Sequence, residues 1–366
     1  MKKVLIVFNY MQPADGVCRT AISFANALAE LNEYEITFVP MFKLDKRMLP
    51  LLNPKIKVRK VLKIPYIRGI DRLTSKLPPK WIYKSIVKKE KFDIEFGYCW
   101  RNPTIAIANS QNKDAKHIIY THGYNDASKY YPLADLVIAI SSKNAKRISG
   151  EVNGSVPVIQ FTNMYNEEKI LKNSQETPSF TKNEDKFLFI TCSRLSSEKG
   201  FLRMLEGAKK LKEEGYKFDI WMIGDGPERN NIESYIKDNN LSDVVTLLGN
   251  QMNPFPYMKQ GDCMICSSFE EGYSTVCVES CILEVPVLST DISGADDIIG
   301  RAKAGKIVSN DEKGIYDGMK YFLDNPQKVK EMKETLKTTK TSFYKENGMK
   351  ELKELMKTIE NIKRKE

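Results

Sequence analysis

The sequence predicts an α/β protein built from two doubly wound parallel sheets, each in its own domain. Three observations predict it. Short continuous apolar runs alternate with segments of helical spacing, the pattern of strands covered on both faces. The alternation stops at a polar, aperiodic stretch from Tyr165 to Asp185 and then begins again. The length, 366 residues, suits two domains. Hydrophobic residues make up 42% and charged residues 28%, a globular composition that excludes a disordered chain.

In the first series, Val4 to Phe8 reads as a strand, Ala21 to Leu31 as a helix, and Ile36 to Val39 as a second strand. Phe92 to Phe96, His117 to Tyr120 and Leu136 to Ile140 follow as strands, the last running through Ser141-Ser142 into a helix from Lys143 to Ile148. The second series gives strands at Phe187–Thr191, Asp219–Ile223, Val244–Leu248, Cys263–Cys266 and Val285–Ser289. Helices Phe201–Glu214, Glu228–Asn239 and Thr275–Ile282 lie between them. The expected domains are therefore 1–165 and 186–346, with 166–185 as linker. Open sheets of this kind bind ligands beyond the carboxyl ends of their strands.

The net charge of +10 is concentrated: residues 41–91 hold 16 Lys and Arg against three acids, so the rest of the chain is slightly acidic. Within 56–68 the cations alternate with large apolar side chains. That surface suits an anionic lipid headgroup layer, and a solvated basic face without a partner is the plain alternative. Nucleic acid is not expected, because no recognition module accompanies the charge. Five prolines in the window argue for short helices and loops. Seven cysteines without framework spacing point to reduced thiols. No apolar run reaches membrane-spanning length, and the run after Lys3 stops at Asn9, short of a signal peptide. The expected location is the cytoplasm.

Three strand-to-helix loops in the second series carry candidate chemistry. In Ser193–Gly200, Arg194 offers a planar fork and Lys199 a point charge where a phosphate would meet a helix start; pairing of both with nearby glutamates is the plain alternative. Gly224-Asp225-Gly226-Pro227-Glu228 permits a tight turn and close backbone approach, or is simply a turn; it lacks the third glycine of the dinucleotide fingerprint. In Ser267–Glu279, Glu271 sits in the loop and Glu279 about one turn into the helix. Gly272, Tyr273, Ser274, Thr275 and Val276 lie between them and supply free helix-start amides. Carboxylates in that setting accept hydrogen bonds from sugar hydroxyls. In the first series, His122 lies at a strand's carboxyl end and Gly16 in the loop before the first helix, while His117 begins a strand and reads as structural. No Asp-x-Asp occurs, so no metal clamp on a diphosphate is expected, and Cys263-x-x-Cys266 reads as core packing.

With these loops in order, together with Asn253–Met258 leading to Asp262 and Ala134–Ser141 in the first half, the sequence resembles the retaining glycosyltransferases of family 4, which have the two-lobed GT-B fold of two Rossmann-like domains facing a central cleft. The resemblance is strongest from Phe187 to Ile299. It implies that Arg194 and Lys199 hold the diphosphate of a nucleotide sugar, UDP-linked, and that Glu279 binds the ribose. It implies that Glu271 and the 272–276 amides hold the donor sugar, which His122 reaches from the other lobe. Gly16 and Gly224 would lie near the donor, and residues 250–252 would border the base. The first domain would take a saccharide or lipid-linked acceptor, and a helix at 347–363 would fold back onto it. No cofactor or metal is implied. A non-catalytic two-lobed sugar or nucleotide binding protein is the alternative class, with a dinucleotide-dependent dehydrogenase behind it.

Overall fold

The computed structural model describes residues 1–12, 16–61, 67, 69–123 and 125–365. Asp15, the middle of the basic run at 62–66, Arg68 and Tyr124 lie outside them. The chain forms two compact units, Met1–Tyr165 with Gly348–Glu366, and Asn166–Asn347.

The first unit runs β1 (Lys2–Met11), α1 (Gly16–Glu30), β2 (Tyr34–Leu44), β3 (Lys57–Val58), α2 (Ile70–Thr74), α3 (Pro79–Val87), β4 (Ile94–Tyr98), α4 (Asn102–Ala108), β5 (Lys116–Thr121), β6 (Leu136–Ala139), α5 (Ser142–Val152) and β7 (Val158–Gln160). Its strands pair in the order β3-β2-β1-β4-β5-β6-β7, all parallel. Apolar side chains fill both faces: Leu5, Val7, Ile119 and Val137 pack with Ile86 of α3 and Ile105 and Ile107 of α4. On the opposite face Phe24 of α1 meets the rings of Phe96, Tyr98 and Tyr120. Every residue of α4 is buried, so it has no polar face and no amphipathic period to read.

The second unit runs α6 (Glu167–Asn173), β8 (Phe187–Cys192), α7 (Phe201–Glu213), β9 (Phe218–Ile223), α8 (Arg229–Asp238), β10 (Val245–Gly249), α9 (Phe255–Met258), β11 (Cys263–Cys266), α10 (Thr275–Ile282), β12 (Val287–Thr290), α11 (Ala295–Ala302), β13 (Gly305–Val308), α12 (Glu312–Asp324) and α13 (Pro326–Thr339). Its order is β10-β9-β8-β11-β12-β13, again all parallel. Phe189, Ile220 and Met222 pack with Met204, Leu205 and Phe322 in its core. Cys263 and Cys266 are buried in β11, and all seven cysteines are free thiols.

Residues 166–185, expected to be a linker, belong to the second unit. Asn166 caps α6 by accepting from the Lys169 amide, and Asn253 donates to the Asn173 carbonyl. Lys182 is fixed to Asp262 at 2.6 Å. The polar composition reflects these tertiary bonds.

The last helix, α14 (Lys345–Asn361), crosses into the first unit. There it buries Leu352, Leu355, Met356 and Ile359, and Glu360 accepts from Tyr34 and pairs with Lys2, each at 2.8 Å. Among the described residues no helix is long and apolar enough to cross a membrane.

Candidate functional site

In the second sheet, chain order reverses between the neighbouring strands β8 and β11. The crevice beyond their carboxyl ends is the place where such a sheet takes a ligand. Two of the three candidate loops follow these strands, and the third follows β9 beside them.

The loop after β8 tightens into a 3-10 turn, Ser197–Lys199, and ends on Gly200 at φ 64°. A side chain there would place its Cβ 2.3 Å from the Ser267 carbonyl oxygen, so only glycine lets this loop lie against the one after β11. The two loops are then bonded together. Ser267 Oγ donates to the Lys199 carbonyl at 2.8 Å, and the Phe269 amide to the Glu198 carbonyl at 2.9 Å. Across the same junction Lys199 Nζ reaches Glu271 Oε1 at 2.5 Å, and Ser268 Oγ donates to that oxygen at 2.9 Å. Both partners are largely covered, at 19% and 18% side-chain exposure, so the pair feels a weaker dielectric than a surface bridge.

Arg194 differs. Its side chain is 67% exposed and pairs with Glu198 at 3.0 Å, the plain pairing considered from the sequence. Burial by itself would raise the Glu198 carboxyl. The Ser196 hydroxyl, the residue's own amide and Arg194 outweigh it and hold the group near about 2. Arg194 and Lys199 thus share a loop without sharing an environment: one cation sits in an exposed surface pair, the other in a covered one.

The glycines after β9 serve this loop as well. Gly224, at φ 137°, would set a Cβ 1.9 Å from the Ser193 carbonyl oxygen, and Gly226 would set one 2.3 Å from that of Leu195. Their close approach is to the backbone flanking Arg194, which the Leu195 amide completes by donating to the Asp225 carbonyl at 3.0 Å. This fits the plain turn that the sequence offered as one reading, whereas the resemblance places Gly224 near the donor.

Gly272, Tyr273 and Ser274 lead into α10, whose first turn contains Thr275 and Val276. Tyr273 is buried, and the Ser274 side chain makes no cap bond to the turn behind it. Glu279 is half-buried near the end of β8. Burial, then the Glu279 charge, pushes the Cys192 thiol up to about 12. The structure therefore brings Lys199, Glu271 and the start of α10 to one sheet edge. Of residues 250–252, expected beside a base, Met252 is almost wholly exposed.

One residue of this edge was not singled out from sequence. Arg203, in the first turn of α7, is buried, and its guanidinium donates to the carbonyls of Ser267 (Nε, 3.0 Å), Ser268 (Nη2, 2.7 Å) and Asn310 (Nη1, 3.1 Å) and stacks on Phe269. Asn310 in turn donates to the Phe269 carbonyl at 2.9 Å. Three successive carbonyls ahead of Glu271 are thus clamped. The signal in the sequence was a cation in a helix's first turn, where the helix dipole opposes it unless a specific partner holds it.

In the first unit, His122 follows β5 and packs in a triangle of rings with Tyr98 and Tyr120, their centroids 4.7 and 4.8 Å from its own. Its Nε2 is covered and has no hydrogen-bond partner among the described residues, and burial pushes the imidazole down to about 3, so the ring is neutral at physiological pH. Gly16 opens α1 at the surface, where a Cβ would meet nothing within 4 Å; no contact in the described residues demands glycine there. His117 sits at the start of β5, at the opposite sheet edge, with Nε2 3.0 Å from the Asn112 carbonyl.

The fold and this edge define a class: two parallel-sheet Rossmann-like domains, the GT-B fold of solved glycosyltransferases. A structure of Anabaena Alr3699/HepE in complex with UDP and glucose superposes with a TM-score of 0.73 at 14% identity, covering 98% of this chain and 100% of that one. The match to a particular family falls on the second unit: residues 173–339 fit the model of the glycosyl transferases group 1 family. An uncharacterized glycosyltransferase of Methanocaldococcus jannaschii is 30% identical over 50% of this chain and 47% of its own length. The N-acetylgalactosamine-N,N'-diacetylbacillosaminyl-diphospho-undecaprenol 4-alpha-N-acetylgalactosaminyltransferase of Campylobacter jejuni is 28% identical over 60% of this chain and 59% of its own. The chain thus spans 47% and 59% of the length of these relatives.

Proposed function

We propose that the protein is an anomer-retaining glycosyltransferase that moves a sugar from a nucleotide-sugar donor, UDP-linked, to a saccharide or lipid-linked acceptor in cell-surface polysaccharide or glycolipid synthesis. The observation that carries this is the Lys199–Glu271 pair at the β8/β11 edge, where a held cation and a held carboxylate stand beside an uncapped helix start. The UDP found with the Anabaena structure and the undecaprenol diphosphate in the Campylobacter enzyme's name support the donor and acceptor classes.

Breaking the anomeric bond places negative charge on the departing diphosphate. Lys199 and the first amides of α10 are assigned to absorb it, with no metal ion invoked, and Arg194 to swing onto the phosphates once it leaves Glu198. Glu271 is assigned to hydroxyls of the donor sugar, and Glu279 to those of the ribose. Retention then follows from attack on the face the diphosphate leaves, with a phosphate oxygen taking the acceptor's proton. His122 and Gly16 keep their assignments to the donor sugar and phosphates on the resemblance alone; a neutral His122 ring can donate or accept one hydrogen bond. The basic stretch 41–91 is assigned to an anionic membrane surface, the inner face for a cytoplasmic enzyme.

A thermal-shift screen against nucleotide sugars identifies the donor, and release of the nucleoside diphosphate on adding acceptor measures turnover. Donor binding without release would make the protein a binding module. Full turnover in both Arg194→Ala and Lys199→Ala would overturn the scheme.

A further inference from the structure

Among the described residues eleven large hydrophobic side chains stand exposed, and four of them fall in the fifteen residues 67–81: Ile67, Leu73, Leu77 and Trp81, at 60, 70, 45 and 59%. They belong to the α2–α3 segment. Leu73, Leu77 and Trp81 are spaced four apart, and Arg72, Lys76, Lys80 and Lys84 interleave with them at the same spacing. From 72 to 89 the chain has six cations and no acid, and none of the six enters an ion pair among the described residues. The neighbouring acid, Asp71, is buried and held by Arg101.

The inner face of α3 is already used: Ile82, Tyr83, Ile86 and Val87 are in the core. The exposed residues form a second, outward apolar set. Asp71 fixes where that set is mounted, since the Asn102 side chain donates to its carbonyl at 2.7 Å and Arg101 holds its carboxylate. Both partners lie just beyond β4, so the segment is tied to the carboxyl edge of the first sheet.

Aliphatic tips between unpaired cations are poorly suited to water, and a second copy of the same patch would meet it with like charge. An anionic bilayer satisfies both features: ammonium and guanidinium heads lie at the lipid phosphates while leucine and tryptophan enter the headgroup and acyl boundary. We propose that residues 69–84 are a membrane-insertion wedge, with Leu73, Leu77 and Trp81 entering an anionic lipid surface and Arg72, Lys76, Lys80 and Lys84 at its phosphates. This deepens the membrane placement proposed above, and rests on it, by adding insertion to attraction.

The test is sedimentation of the full chain with phosphatidylcholine vesicles, with and without phosphatidylglycerol, alongside quenching of tryptophan fluorescence by brominated lipid. Binding is expected only with phosphatidylglycerol, and quenching is expected to fall sharply in Trp81→Phe and to persist in Trp100→Phe, since Trp221 is buried and Trp100 is half-buried outside the segment. Neutralising each of the four cations should weaken partitioning about fivefold. A triple variant, Leu73→Ser, Leu77→Ser and Trp81→Ser, should lose binding at least about tenfold while keeping donor hydrolysis, which shows that it folds. Undiminished binding by the triple variant, or binding without quenching, would overturn insertion and leave electrostatic docking standing. Absence of binding to phosphatidylglycerol vesicles would overturn both. A wild-type dimer that the triple variant breaks would assign the patch to a second copy and overturn the wedge.

Discussion

The two cations of the β8 loop make separable predictions. Arg194 is exposed and its bridge to Glu198 is a surface pair, so Arg194→Ala should shift stability by less than about 0.5 kcal/mol. Its effect should appear in turnover. Lys199 is held against Glu271, and removing it also strands a half-buried carboxylate. Lys199→Ala should reduce turnover about 10²- to 10³-fold, the scale of one lost donor to a developing anion. A thermodynamic cycle with Glu271→Gln should show coupling between the two residues in thermal denaturation. Equal and independent effects of both substitutions would contradict the pairing. His122 gives a pH prediction. Its folded-state value is pushed below the ordinary one, so the unfolded chain binds the extra proton. The stability this group contributes is complete above about pH 6.5 and is lost as pH falls toward 3. Between pH 7.5 and 5 the loss should be about 2 kcal/mol by urea denaturation, and His122→Gln should flatten it. Residue types and loop positions at this site were legible because strand-to-helix loops announce themselves. The partners were not, because Lys199 and Glu271 are far apart in sequence and only the adjacency of β8 and β11 brings them together.

At the level of elements, the loop after β11 is a shaped object held from behind. Arg203 and Asn310 together bind the carbonyls of residues 267, 268 and 269, and Thr290 Oγ1 donates to Ser268 as well. Truncating Arg203 removes the guanidinium donors from the buried Ser267 carbonyl, a loss of about 1–3 kcal/mol for such a group, while Ser268 keeps Thr290 and Phe269 keeps Asn310. Arg203→Ala should therefore destabilise the second unit and loosen Glu271 without touching a ligand. Arg203→Lys replaces a fork with a point charge and should recover only part of the stability. A positioning role predicts a raised KM for the donor sugar with binding of the free nucleoside diphosphate less affected; identical losses in both would instead mark general unfolding. The same element explains what periodicity missed. Strands and amphipathic helices of the second half were legible from apolar spacing, whereas α4 was not, because a wholly buried helix has no polar face. The helix α6 was hidden for the opposite reason, its polar residues being spent on caps and tertiary bonds.

Across the whole molecule, the two parallel sheets could be read from the alternation of strand and helix, but their strand order could not, since it depends on which crossover packs on which face. The return of the last helix was likewise invisible to spacing and came from the resemblance. Its physical basis is now explicit. Leu352, Leu355, Met356 and Ile359 of α14 are buried in the first unit, and each is worth about 1.5–3 kcal/mol of transfer out of water. The tail beyond the helix adds polar ties: the Lys365 amide donates to Asp135 at 2.7 Å, and Lys116 donates to the Ile362 carbonyl. The sum is comparable to the total stability of an ordinary domain. Removing residues 348–366 should therefore unfold the first unit selectively, although most of its residues lie some two hundred positions earlier. Hydrogen exchange read by segment checks this. Protection should collapse in β1, β2 and β5 while β8, β9 and β11 stay protected, because the second unit has its own core. The truncated chain should still bind the donor nucleotide and fail to transfer its sugar. Retained protection in β1 and β2 would mean that the helix rests on the first unit without stabilising it.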